Sequence, residues 1–166
     1  MLNILIPTDG SEAALLAVRH ALALVEHGLQ ARFVLANVQE SATLYELVVA
    51  HDPDVLQRVS EEAGEDLLRP ALALLQAAGQ AVVTEVTTGD DAAQALVEVA
   101  ERHGCDAIIL SARGMGSLRA ALLGSVSHAL LQHAPVPVTV VRATEPDEEP
   151  LEADTDADNA AEGVAD

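Results

Sequence analysis

Lysine is absent from this chain of 166 residues, and all eight of its basic side chains are arginine. A lysine-dependent phosphate clamp and Schiff-base chemistry are thereby excluded. Tryptophan is also missing, and Phe33 and Tyr45 are the only aromatic residues. Stacking platforms for single-stranded nucleic acid, which rely on aromatic faces, therefore have no material. Cys105 stands alone, which rules out an intramolecular disulfide and suits a reducing compartment. Long apolar runs are lacking too: no stretch approaches the roughly 18 residues of a membrane span. The opening run Leu2–Ile6 has no basic residues before it and is cut by Pro7 and Asp9. It reads as a first strand and not as a signal peptide, so the cytoplasm is the expected location.

Positive charge is scarce overall. The net charge of −19 argues against nucleic acid and anionic membranes as partners. From Glu145 to Asp166 there are ten acidic residues and no basic one. A segment of that composition cannot bury enough apolar surface to order itself, so residues 143–166 are expected to be a disordered acidic tail behind a single domain, 1–142. Several chemical signatures are missing as well. The histidines show no metal-ligand spacing with Cys or carboxylate support, and His20, His27, His103, His128 and His133 fall on helix patterns as solvent-facing or cap-proximal residues. No Gly-x-Ser-x-Gly elbow precedes Ser125, and Ser125 and His128 on one helix are poorly placed for proton abstraction. There is no Walker A loop, and Arg119 stands where a Rossmann fingerprint needs its third glycine.

What the chain does have is half its residues apolar, arranged in alternating periods. Leu2–Ile6, Ala31–Val38, Ala81–Val86, Ala107–Leu110 and Val136–Val141 read as strands. Helical spacing occupies 13–25, Val55–Ala78, 92–100 and Gly124–His133, with Gly28 and Gly104 as stops. Pro70 lies inside the second of these; an interior proline costs about 3 kcal/mol, so a kink or break is expected near Arg69. Residues 40–53 show no clean period. Continuous apolar strands suit burial on both faces, and the alternation specifies an α/β fold with a doubly wound, five-stranded parallel sheet and helices on both faces. Right-handed crossovers put all the strand C-termini on one edge, where such sheets bind ligands. The site is expected to assemble there from Pro7-Thr8-Asp9, Val38 and Ser111–Gly114.

Ser111–Ser127 follows the fourth strand and opens a helix with Gly124-Ser125. Glycines let backbone N–H groups approach an anion, and a helix N-terminus adds unpaired donors and a favourable dipole, so the stretch is suited to phosphate. The bland alternative is that Gly114, Gly116 and Gly124 permit a tight surface connection, while Asp9 merely caps the next helix with Ser11.

Asp9 closing strand one, Gly89 before the third helix, Arg113-Gly-Met-Gly, Leu-Leu-Gly-Ser-Val-Ser and the final Pro-Val-Pro-Val-Thr-Val-Val together resemble the universal stress protein family over residues 1–142. The resemblance implies a small stress-responsive cytoplasmic protein, usually a homodimer, with one branch that binds ATP and another that does not. The ATP-binding branch carries Gly, two residues, Gly, nine residues, then Gly-Ser or Gly-Thr. Gly114, Gly124 and Ser125 match this pattern, but the first glycine is replaced by Ser111.

By this resemblance Pro7, Thr8 and Val38 line an adenine pocket with backbone. Asp9 lies near ribose and phosphates and helps hold Mg²⁺ beside the triphosphate. Gly114 and Gly124 let the chain pass close, and Ser125, Val126 and Ser127 meet the phosphates. Arg113 either neutralises charge there or points to solvent. If position 111 needs positive φ, serine costs on the order of 1 kcal/mol or more; otherwise its Cβ and hydroxyl either clash with the ribose or hydrogen-bond to it. The expectation is a regulator binding ATP, with AMP or ADP as alternatives, that acts through a protein partner. It would have no catalysis beyond slow hydrolysis or autophosphorylation, and would dimerise through 136–141, an apolar edge that needs covering. The rival is an interaction module that binds no nucleotide, with Ser111 marking a degenerate site.

Overall fold

In the computed structural model, residues 1–42, 52–112 and 123–143 are described. Five strands, β1 (Leu2–Pro7), β2 (Ala31–Gln39), β3 (Val82–Thr88), β4 (Ala107–Ser111) and β5 (Val138–Val141), form one sheet in the order β3-β2-β1-β4-β5. All pairings are parallel, with Pro7 opposite Ala36, Leu5 opposite Ile108 and Ser111 opposite Val141. The chain winds outward from β1 through β2 to β3, then returns to the other side of β1 for β4 and β5. The direction reverses between β1 and β4, and the crevice at their C-terminal ends is where this architecture leaves room for a ligand.

Among the described residues, four helices cover the two faces: α1 (Leu15–Glu26), α2 (Pro53–Ala77), α3 (Ala92–Arg102) and α4 (Ser125–His133). Alternate strand residues explain the layering. Ile4, Ile6, Phe33, Leu35 and Ile109 pack with α1 and α2 residues such as Val18, Leu68 and Leu75, whereas Leu5, Val34, Ala36, Ile108 and Leu110 pack with Leu96, Val99 and Leu130 of α3 and α4. Burial on both faces holds for the middle of β1, β2 and β4. The edge strands β3 and β5 are largely half-buried or exposed, because each has a neighbour on one side only.

The starts of α2 and α3 follow side-chain caps. Asp91 accepts hydrogen bonds from Ala93 N and Gln94 N at 2.9 and 3.1 Å, and Asp52 accepts one from Asp54 N at 3.0 Å ahead of Pro53 at the first helical position. Of the kink or break expected near Arg69, a break does not occur: α2 runs unbroken from Pro53 to Ala77 with Pro70 inside it. Gly64, Leu68, Ala71 and Leu75 form a buried stripe at helical spacing on both sides of the proline, while Pro70 itself is exposed. Packing of that stripe holds the turn together, and the ring sits on the face where water reaches the orphaned carbonyl. The five histidines named above are cap-proximal or at least partly exposed; His27 and His103 are the C-cap residues of α1 and α3. Among the described residues, no helix is long and apolar enough to cross a membrane.

Two glycines set how closely the layers approach. Gly64 brings the α2 backbone against the sheet: a Cβ there would lie 2.4 Å from Val86 Cγ1, 2.8 Å from Val86 Cγ2 and 3.2 Å from Asn37 Oδ1. Gly10, just after β1, has φ +80° and its absent Cβ would meet Leu67 Cδ2 at 2.6 Å. It therefore serves both a left-handed turn and a close approach to α2.

The β3 edge is pinned to α3 by charge. Glu85 pairs with both Arg102 and His103. Burial pushes the Glu85 carboxyl up, but hydrogen bonds from Arg102 and His103 and their charges outweigh it, holding the group below its ordinary value of 4.5. The buried Cys105 thiol is pushed up by burial and by the neighbouring Asp106 carboxylate, away from reactive thiolate.

Two stability outcomes follow from these contacts. Gly64→Ala is expected to destabilise by about 1–2 kcal/mol, the overpacking cost outweighing the gain in helix propensity, as read by denaturant midpoint. A carboxyl with a lowered folded-state value contributes stability that is complete above pH 4.5 and is lost as pH falls through that lowered value. Glu85→Gln should flatten this part of the acid-unfolding profile and leave the neutral-pH slope unchanged.

Candidate functional site

The last ladder bond between β1 and β2 runs from Thr8 N to Ala36 O at 2.9 Å. Beyond it the chain turns through Thr8-Asp9-Gly10-Ser11, and each polar side chain is used to shape the turn. Thr8 Oγ1 accepts from Gly10 N at 3.2 Å, Asp9 Oδ1 accepts from Ser11 N at 3.0 Å, and Ser11 Oγ accepts from Ala14 N at 3.1 Å. These bonds shape the β1 exit turn and not the head of α1, whose N-cap is Ala14 without a side-chain cap bond, so the capping alternative for Asp9 and Ser11 does not describe this helix start. Asp9 is half-buried. Among the described residues there is no cluster of three or more His, Cys, Asp or Glu that could hold a metal. A single carboxylate here fits Mg²⁺ only where phosphate oxygens supply most of the ligands.

On the other side of the crevice, Ser111 ends β4. It is a strand residue paired with Val141, so the positive-φ alternative does not apply and serine carries no backbone strain here. Carrying the Leu5–Ile108 register forward brings Thr8 level with Ser111. Ala112 N donates to Val141 O and Ala112 O accepts from Gly124 N, both at 2.8 Å, so the chain leaves β4 and re-enters at α4 from a shared point. Arg113 and Gly114, between those anchors, lie outside the described residues, as does the acidic tail from residue 144 onward.

The start of α4 is held by one buried bond. Ser127 Oγ donates to Ser111 O at 3.0 Å, with both residues buried. Gly124 is the N-cap, so no side chain caps the helix, and the first intrahelical bond is His128 N to Gly124 O at 2.9 Å. The N–H groups of Ser125, Val126 and Ser127 therefore have no acceptor within the helix, and they carry the positive end of its dipole. Gly124 has φ −63° and ψ 156°, ordinary values for any residue, and a Cβ would meet Ala112 O at 3.4 Å in normal contact. Neither strain nor crowding inside the protein calls for glycine at this position. Ser125 is exposed at the mouth, Val126 is half-buried and Ser127 points inward.

The structure thus brings Pro7, Thr8, Asp9, Ser111, Gly124, Ser125, Val126 and Ser127 to one edge, with Val38 at the end of the neighbouring strand. Sequence reasoning missed Asn37, which is buried at the same edge. Asn37 Nδ2 donates to Thr8 O at 2.8 Å, and Asn37 Oδ1 accepts from Gln39 Nε2. The available signal was one amide in an otherwise apolar strand, Phe33-Val-Leu-Ala-Asn-Val38, since such a group is buried only where it is satisfied.

A family model described as the universal stress protein family matches residues 1–142. A putative universal stress protein of Staphylococcus haemolyticus is 31% identical over 144 residues, covering 86% of each chain. The solved structure of hypothetical protein MJ0577 superposes with a TM-score of 0.70 at 27% identity, covering 87% of this chain and 98% of that one. Two further structures share the fold: a universal stress protein in complex with cAMP, at TM-score 0.58, 22% identity and coverage of 85% and 96%, and an Arabidopsis thaliana family protein with AMP bound, at 0.61, 16% and coverage of 89% and 97%.

Ser127→Ala removes the donor to a buried carbonyl and frees the first turn of α4. We expect a stability loss of about 1–2 kcal/mol and faster amide exchange at Ser125–Ser127, measured by hydrogen–deuterium exchange.

Proposed function

This chain belongs to the universal stress protein family, and from that premise we propose that it is a regulatory protein that binds an adenine nucleotide, ATP foremost, at the β1–β4 crevice. The observation that carries the reading is the N-terminus of α4. A glycine N-cap that the protein's own packing does not require leaves three outward N–H groups without a capping side chain, at the point where the sheet reverses. Neutral donors and a dipole suit phosphate in a chain that lacks lysine. Fold relatives that hold cAMP and AMP support the choice of an adenine nucleotide.

In this reading Pro7, Thr8 and Val38 face the base with backbone, Asp9 lies by the ribose and a nucleotide-held Mg²⁺, and Gly124 to Ser127 receive the phosphates. The family's loop pattern would add Gly114 to the phosphate side, with Arg113 either neutralising charge there or pointing to solvent; both lie outside the described residues. Mg²⁺ supplies charge neutralisation on the phosphates, while the protein positions and binds. Among the described residues no general base or nucleophile is poised beside the phosphate donors, and in this reading nucleotide occupancy is a state for a protein partner to read. The reading includes a cytoplasmic homodimer through residues 136–141, whose strand β5 closes one side of the sheet.

Ser111 favours a second reading. It is buried, and where the family pattern has glycine its Cβ and hydroxyl would take space on the ribose side, as a protein-interaction module without nucleotide would tolerate. Calorimetric titration with Mg-ATP separates the two. Binding in the micromolar to millimolar range, tightened severalfold by Ser111→Gly, is expected; no heat at millimolar ATP for either protein overturns the nucleotide reading.

A further inference from the structure

We propose that Asn37 is the positioning residue of the base slot: its amide sets the separation of the Thr8 and Val38 main chains between which the ring is read. The inference rests on the nucleotide reading and adds the side chain that builds its base-facing half.

The argument starts from ladder geometry. In a parallel strand, the N–H and C=O of one residue point to the same neighbour. Ala36 O accepts from Thr8 N and so faces β1; Gln39 O accepts from Gly89 N and so faces the β3 side. Val38, in phase with Ala36, turns its N–H and C=O towards β1. Pairing with β1 ends at Pro7–Ala36, whereas β2 stays paired to β3 through Asn37–Val86, Val38–Thr87 and Gln39–Thr88. The polar groups of Val38 thus face the space past the end of β1. Thr8 O, the acceptor that a continued ladder would give to Val38 N–H, takes the Asn37 amide at 2.8 Å instead.

That amide has one orientation. Thr8 O can only accept, so Nδ2 faces it, and Gln39 Nε2 then donates to Oδ1 from two residues along the same face. Asn37 is 3% exposed, and Gly64 gives it room: a Cβ there would lie 3.2 Å from Oδ1. The side chain is clamped from three elements, and it holds the β1 exit turn at a fixed distance from Val38 while keeping the Val38 edge clear of the ladder. It acts on the ligand through Thr8 and Val38 and not by contact.

Two probes separate a positioning role from a general structural one: AMP, which carries the base, and inorganic tripolyphosphate, which needs only the α4 donors. For Asn37→Ser we expect AMP to bind about tenfold more weakly, the scale of one hydrogen bond, with tripolyphosphate within about twofold of wild type. Gln39→Leu, at a half-buried position whose loss the fold tolerates, should weaken AMP in the same base-dependent way by a smaller factor, and it carries the test if Asn37→Ser does not fold. Unchanged AMP affinity in the folded variants overturns the inference, as does an equal loss of both probes. Wild-type protein that binds tripolyphosphate and not AMP also overturns it. Wild-type protein that binds neither overturns the nucleotide reading itself, and this inference with it.

Discussion

Everything in this molecule is arranged around a strand that must be dry on both sides. Ile4, Leu5 and Ile6 of β1 are at most 2% exposed, with alternate side chains entering opposite layers. A parallel sheet with such a centre needs helices above and below, and each crossover returns the chain to the same end of the sheet. The faces are consumed by packing, so the strand ends are what remains for recognition. The reversal between β1 and β4 makes one of those ends a crevice. In the proposed reading, recognition is confined to that place before any particular residue is chosen.

Much of this was legible because it follows from period and punctuation. Apolar runs gave the strands to within a few residues, and Gly28 and Gly104 marked helix ends where the structure has them. Pro70 does not break α2, since its local cost is weighed against the buried stripe Gly64-Leu68-Ala71-Leu75, and that stripe can be recognised only once the sheet beneath it is known. Gly64 itself reads as a weak point in a helix, yet it is the place where helix and sheet touch most closely. Asn37 was hidden for a related reason: a side chain that bonds a carbonyl 29 residues earlier has no sequence period. The extended conformation of Ser111 was equally out of reach, because its pairing partner Val141 comes at the end of the fold.

The candidate site is also a solution to a charge problem. A chain of net charge −19 without lysine has little cationic material to place against an anion. Backbone donors at the head of a short helix supply partial positive charge without adding a titratable group, and they work only if they are held still. The bond from Ser127 Oγ to Ser111 O does that, tying the helix head to the strand beneath it. The arginines on described elements are spent elsewhere, as Arg102 on Glu85 and Arg32 on Asn3 show.

The hydrogen bond from Gly124 N to Ala112 O joins the chain's departure from β4 to its return at α4. Whatever lies between those two residues is attached at a single junction whose geometry the sheet and α4 already determine. The register of the two packed layers is therefore set by the sheet and α4 and not by the length of chain between the anchors, since closure entropy grows only slowly with added residues. The junction makes the rim of the crevice a fixed socket, inherited with the fold, because both of its anchors belong to elements that the core holds in place.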